Sequence, residues 1–283
     1  MKRSTFPPLA LAMTSSLLFA CGGAVEAQPT DADGTLGVAS DEIIGTQRSA
    51  AAYSEAVMVK VNNSYNDFCS GVLIAPQVVL TAAHCIVFNS ATSNPTGTGT
   101  WAVTAPFRTG GSQTVNASAA EPMDAAFYNV NYWDYETHNE LHDLGVIYLD
   151  VAITGVKFPA LSANEVPSST TTVPQWTSAV GRKYVSETAG LVLSSRQKLY
   201  RTVPADGYTL CYRTVRLTDG GDSGGPLFID GTHQLVGTEA LFDPSRNRDY
   251  WARLDGAVNT WIADRVVAHG GWGAAASRYA RTR

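Results

Sequence analysis

The sequence predicts an all-β fold closed by one C-terminal helix, and three observations carry that expectation. Apolar residues fall in short, β-branched or alternating runs: Ala56–Val61, Val72–Ile74, Val78–Leu80, Leu144–Leu149, Leu191–Leu193 and Gln234–Thr238. Glycine, proline, serine, threonine and asparagine separate them, as turn formers do. Helical periodicity is confined to the end, where Val258, Trp261, Ile262 and Val266 recur on one face. With 283 residues, 45% hydrophobic and 16% charged, the chain can bury a large core in one or two packed lobes and lacks the composition of global disorder.

The elements follow in chain order. Lys2 and Arg3 precede the apolar segment Leu9–Ala20, which is too short for a stable membrane span and reads as an export signal over residues 1–21. The run Leu18-Phe19-Ala20-Cys21-Gly22-Gly23 resembles a bacterial lipoprotein processing site in which Cys21 would be the lipidated residue, although Phe19 is bulkier than that pattern prefers. Cleavage after Val25-Glu26-Ala27 is the alternative and would discard Cys21. The expected location is therefore outside the cytoplasm, as a cell-envelope lipoprotein attached by lipid on Cys21 or as a secreted protein. Removing residues 1–21 takes two of the 20 basic residues and no acidic one, moving the formal charge from −5 to −7. Residues 22–42, rich in Ala, Gly and Asp, read as a linker or propeptide. A domain follows over 43–268, and 269–283 reads as a flexible tail. Asn89–Thr100 and Gly110–Ala119, rich in small polar residues, are expected to be surface loops.

Three segments carry chemistry. Leu217-Thr218-Asp219-Gly220-Gly221-Asp222-Ser223-Gly224-Gly225-Pro226-Leu227 sets a serine among glycines behind a carboxylate, letting the backbone turn tightly and a substrate carbonyl approach. Upstream, two apolar runs around Pro76 end in Thr81-Ala82-Ala83-His84-Cys85. Between them, Asp143 heads the apolar run Leu144–Leu149. In these motifs and their His, Asp, Ser order, the chain resembles a chymotrypsin/trypsin-family serine endopeptidase.

The resemblance implies two six-stranded antiparallel β-barrels of the trypsin-like type, the first holding His84 and Asp143 and the second Ser223. It implies Ser223 as nucleophile, His84 as general base and acid, Asp143 as the group orienting His84, and the N–H groups of Gly221 and Ser223 as oxyanion hole. It places a disulfide between Cys69 and Cys85, and leaves Cys211 without its usual partner, as a buried thiol or an intermolecular bridge. Asp41-Glu42-Ile43-Ile44-Gly45 resembles the family's activation junction. Cleavage between Glu42 and Ile43 would free the Ile43 ammonium to pair with Asp222, so the chain is expected to be a zymogen. Glu42 is not basic, which implies an activating protease other than a trypsin.

The primary pocket departs from the family's best-known members. Its floor falls on Leu217, where trypsins carry Asp, and Phe242 replaces a wall glycine, so a small or medium apolar side chain is favoured. Asp249 near a pocket-lining position is the opposing signal for a basic side chain. Glu239 is expected either to act similarly or to pair structurally with an arginine, and Asp219 stands where the family usually has a cysteine.

Other functions are weighed against this one. The acidic balance and the absence of a basic patch with aromatics oppose nucleic-acid binding. His138-Asn139-Glu140-Leu141-His142 places two histidines four apart, but the glutamate is one place away from the zinc-protease pattern and no third ligand is evident. No metal or other cofactor is expected, and the expected partner is a protein or peptide substrate. The main alternative is a catalytically silent protein-binding module on the same fold.

Overall fold

The computed structural model describes residues 43–61, 68–87, 99–129, 140–182 and 190–271, all within one compact unit, Ser40–Arg283. The leader with Cys21, the linker with Glu42, His138, most of Asn89–Thr100 and the tail from 272 lie outside the described residues.

The first half is a closed antiparallel barrel of β2 (Ala56–Val61), β3 (Phe68–Ala75), β4 (Val78–Thr81), β5 (Trp101–Ala105), β6 (Gln113–Pro122) and β7 (Gly145–Leu149), in the order β2-β3-β4-β7-β6-β5. Side chains alternate across each strand, so Leu73, Val79 and Ile147 fill the barrel with Val57, Val59, Trp101 and Val103. Val72, Ile74, Val78, Leu80 and Val146 point the other way, into a second cluster that also contains residues of the second half. Burial on both faces explains why β3, β4 and β7 read as continuous apolar runs.

The second half contains β1 (Arg48–Ser49), β8 (Ala160–Leu161), β9 (Trp176–Arg182), β10 (Leu191–Leu193), β11 (Gln197–Lys198), β12 (Tyr200–Arg201), β13 (Cys211–Val215), β14 (Pro226–Ile229), β15 (Gln234–Asp243) and β16 (Arg248–Arg253). Their main path runs β1-β10-β9-β14-β15-β16-β13-β12, with β11 on β9 and β8 parallel to β15. Among the described residues this path has no closing ladder, so barrel closure is seen only in the first half. Helix α2 (Ala257–Ala268) buries Val258, Ile262 and Val266 in the core between the halves, on the face its periodicity predicts.

The loop expected over Gly110–Ala119 is corrected by β6, which pairs with both β5 and β7. Its inward positions there, Val115 and Ala117, alternate with exposed Thr114, Asn116 and Ser118. Two modest apolar side chains give too weak an alternation to be recognised in isolation.

Candidate active site

Strand pairing brings the histidine and aspartate together. In the antiparallel β4–β7 ladder, Thr81 faces Gly145. His84, three residues beyond Thr81, thereby meets Asp143, two before Gly145. The Asp143 carboxylate accepts the His84 backbone N–H at 3.0 Å through Oδ1, and its Oδ2 lies 2.7 Å from His84 Nδ1. Both side chains are about nine-tenths buried. This two-point hold orients the imidazole and directs its Nδ1 proton to Asp143, leaving Nε2 as the basic nitrogen.

The serine comes from the other half of the molecule. Ser70 of β3 donates its N–H to the Ser223 carbonyl at 2.8 Å and its hydroxyl to the Gly221 carbonyl at 3.0 Å. The Cys69–Cys85 disulfide joins that same strand to the short helix α1 (His84–Val87) that starts at the histidine. Gly224 seals the junction: a Cβ there would sit 2.1 Å from Thr81 Oγ1 and 2.6 Å from both Ala82 N and Ser70 O, and its φ is +78°. Only glycine fits. Gly221, at φ +97°, supplies the left-handed turn just before the nucleophile. Among the described residues, the N–H groups of Gly221 and Ser223 have no hydrogen-bond acceptor and Ser223 Oγ has no partner.

Ile43 is fully buried in a cluster with Leu217 and Trp251. Its N–H donates to Arg182 O at 3.3 Å, and the next N–H, of Ile44, donates to Leu217 O at 2.6 Å. Asp222, also buried, accepts the Arg182 N–H at 2.8 Å and the Asp219 N–H at 3.2 Å. Ile43 and Asp222 adjoin across Gly181, where a Cβ would lie 2.1 Å from Asp222 Oδ1 and 2.8 Å from Ile43 Cδ1. The activation pair named from sequence therefore shares one buried pocket.

The expected pocket residues take less expected places. Leu217 turns its side chain into the core, and its N–H donates to Asp249 Oδ2 at 2.5 Å. Phe242 lies opposite Asp249 in the β15–β16 ladder, under the Arg216 guanidinium, 4.8 Å from the ring centre. Asp219, at the missing cysteine position, pairs with Arg216 at 3.1 Å. Among the described residues no arginine bonds to Glu239. The Thr218 hydroxyl instead bridges two carboxyls, 2.9 Å from Asp249 Oδ1 and 3.2 Å from Glu239 Oε1. Burial, reinforced by the neighbouring Asp249, Asp222 and Asp143, raises the Glu239 carboxyl well above the ordinary range. Burial raises Asp249 to about 7, against the lowering effect of its bonds to Leu217 and Thr218. Sequence reasoning named both acids but not their pairing through Thr218, because that depends on which residues face each other across strands.

The remaining candidates resolve locally. His142 Nδ1 lies 3.0 Å from Asp124 Oδ2. The cluster of metal-ligand type formed by Cys69, His84 and Cys85 has both sulfurs committed to the disulfide. Cys211 is a free thiol, and burial pushes its pKa up, so it is a poor nucleophile.

The family model described as Trypsin matches residues 43–262. The chain belongs to the trypsin family. No curated protein matches it in sequence. Among solved structures it resembles HL collagenase, at TM-score 0.58 and 15% identity over 79% of this chain and 97% of that one. It also resembles a Glu endopeptidase, at TM-score 0.57 and 18% identity over 80% and 95%, and human heparin binding protein, at 0.55 and 20% over 82% and 99%. At these identities the likeness establishes a shared fold.

Proposed function

We propose that this trypsin-family protein is a serine endopeptidase working through Ser223, His84 and Asp143. One observation carries the proposal: the His84–Asp143 pair and the Ser223 loop come from different halves and converge on the same short stretch of β3 and β4, locked there by Gly224. Ser223 Oγ attacks the peptide carbonyl while His84 Nε2 takes its proton; the tetrahedral oxyanion is met by the free N–H groups of Gly221 and Ser223. Collapse to the acyl-enzyme transfers the proton from His84 to the leaving amine. Water then attacks by the same route in reverse. Catalytic hydrogen bonds in free enzymes are commonly long and tighten on the substrate, so the unpartnered Ser223 Oγ is compatible with this role.

The same reading makes Ile43 and Asp222 the activation pair. Cutting after Glu42 would create an ammonium group on Ile43, which adjoins the buried Asp222 carboxylate across Gly181, and an ion pair there would fasten the oxyanion loop. We further infer export of the chain, with residues 1–21 as leader and Cys21 as the lipid attachment point. The test is labelling of processed protein by a fluorophosphonate, with Ser223→Ala as control. Labelling of Ser223 alone is the expected result, and no labelling would leave the silent binding module as the better reading.

A further inference from the structure

Glu239 has no place in the chemistry just described, yet it holds the serine loop at both ends. Behind the nucleophile its backbone accepts the Gly224 N–H at 2.8 Å and donates to Gly225 O at 2.9 Å. In front, its side chain reaches Thr218, five residues before Ser223, with 3.2 Å between Oε1 and the threonine hydroxyl. The N–H groups of Gly221 and Ser223 lie on the stretch between these two anchors. The residue that spans the loop is an acid only 1% exposed, and its Oε2 has no hydrogen-bond partner among the described residues.

The bridge at Thr218 decides where a proton must sit. The hydroxyl lies 2.9 Å from Asp249 Oδ1 as well as 3.2 Å from Glu239 Oε1, and it has a single proton to give. Both contacts are hydrogen bonds only if one carboxyl donates. Asp249 is the acceptor of the two, because its Oδ2 already takes the Leu217 N–H at 2.5 Å. Glu239 has no donor but Thr218, so an ionised carboxylate there would leave a charged oxygen bare and away from water, which is costly. The surrounding charges do not compensate. Asp249 faces Glu239 from β16, Asp222 from the serine loop and Asp143 from the segment before β7, and the Cys211 thiol of β13 feels its charge. No lysine, arginine or histidine bonds to either acid among the described residues. Arg216 acts on Asp249, but its guanidinium is committed to Asp219, Thr218 O and the Phe242 ring. The pair is thus unbalanced in charge, and a retained proton on Glu239 corrects it.

We propose that Glu239 is a positioning residue of the oxyanion loop, a neutral acid that donates to Thr218 in front of the nucleophile while its backbone holds Gly224 and Gly225 behind it. This rests on Ser223 being the nucleophile. The donors then run in one direction, from Glu239 Oε1–H to Thr218 Oγ1 and from the Thr218 O–H to Asp249 Oδ1. With both ends of the loop tied to one residue of β15, the Gly221 and Ser223 N–H groups keep a fixed aim, and fixed aim is what an oxyanion hole contributes. Loss of the Glu239 proton to a solvent base would leave Thr218 between two acceptors with one proton. One contact must then be given up, and the front anchor of the loop weakens. The reaction needs charge on Asp143, and the activation pair needs it on Asp222; a third charge on Glu239 would oppose both.

The test uses processed full chain and three substitutions. Glu239→Gln keeps a neutral side chain of the same shape that still donates, Glu239→Leu cannot donate, and Thr218→Val removes the bridging hydroxyl alone. The probe is the rate at which a fluorophosphonate labels Ser223, a reaction that needs the nucleophile and its oxyanion hole whatever residue precedes the cut. Glu239→Gln should label within about threefold of wild type and the other two about tenfold more slowly, the size of one hydrogen bond, with melting temperatures showing each protein folded. Labelling of Glu239→Leu at the wild-type rate would overturn the positioning role, and Glu239→Gln as slow as Glu239→Leu would overturn the donor. Infrared spectroscopy reads the proton directly. At about pH 8.5, where ordinary carboxyls are ionised, wild type should show the C=O stretch of a buried neutral acid that Glu239→Gln removes. Absence of that band would overturn the neutral acid. The band does not depend on catalysis, so wild-type protein that shows it and never labels would remove the peptidase reading, and the positioning role with it, while the proton assignment stands.

Discussion

Glu55 and Glu239 are buried equally well, both at 1% exposure or less, and each keeps one carboxyl oxygen without a hydrogen-bond partner among the described residues. Their company differs. Glu55 precedes β2 in the first half and meets His233 Nδ1 at 2.5 Å, on the turn between β14 and β15 of the second half. The Tyr53 ring stacks on Phe228 beside it and leans on His233. Burial raises the Glu55 carboxyl and the histidine pulls it back. Glu239 has Thr218 and a second carboxyl instead, so burial and charge act in the same direction. A buried acid with a histidine partner is a clasp between the halves; a buried acid facing another acid is held toward its neutral form. Burial alone separates neither case, and the sign of the neighbouring charge does.

Glu239 is held against the serine loop by backbone hydrogen bonds to Gly224 and Gly225, so the substitution that disturbs it most is Gly224→Ala. A Cβ at that position overlaps Thr81, Ala82 and Ser70, shifting Ser223 and freeing β15 from the loop. Peptidase kcat/KM should fall by about 10³-fold or more, since loss of an oxyanion donor alone reaches that size and displacement adds to it. Retained activity in a purified, folded variant would separate the loop from the chemistry.

Next in size is the pH dependence of stability attached to the acid pair. Asp249 has a folded pKa raised above its unfolded value, so its contribution is full below about pH 4 and is lost as pH rises through about 7. Carrying this carboxyl up to about 7 corresponds to a loss of about 4 kcal/mol across that window. Urea denaturation at pH 4, 5.5 and 7 should show the wild type losing stability over this window and Asp249→Asn losing less; parallel curves would contradict the unbalanced pair.

A smaller effect is expected at the clasp. His233→Ala removes the partner of a fully buried carboxyl, and about 2 kcal/mol should be lost near neutral pH because the histidine itself is partly exposed. The loss should shrink when Glu55→Gln is already present, a double-mutant cycle read by chemical denaturation. The smallest effect belongs to a solvent-facing pair, Arg265 on α2 with Glu121 of β6. Arg265→Ala should shift stability by less than about 1 kcal/mol and become weaker still at high salt, measured as a small change in melting temperature.

Much of this was legible from the chain alone, and the residues show why. Ala56–Val61 and Leu191–Leu193 coincide with strands because β-branched residues between turn formers signal their own conformation. His84, Asp143 and Ser223 were nameable because each sits in a short motif that it does not share with another segment. Gly110–Ala119 was misread because half of β6 derives its strand identity from two flanking ladders and little from its own side chains. Glu239 was legible as a buried strand acid, expected either to receive a basic side chain or to pair with an arginine; among the described residues no arginine bonds to it, and Thr218 holds it instead.

By itself, then, the sequence determined the strand-rich fold, the terminal helix and the order of the three motifs that carry His84, Asp143 and Ser223, since those follow from local periodicity and contiguous motifs. Only the tertiary structure decided that Gly224 must lack a side chain, that Leu217 points into the core, and that Thr218 gathers Asp249 and Glu239 into one buried pair. Those facts depend on register between strands and on the approach of one half to the other. Contacts across such distances leave no pattern in any single segment, and their charges acquire consequence only where water has been excluded.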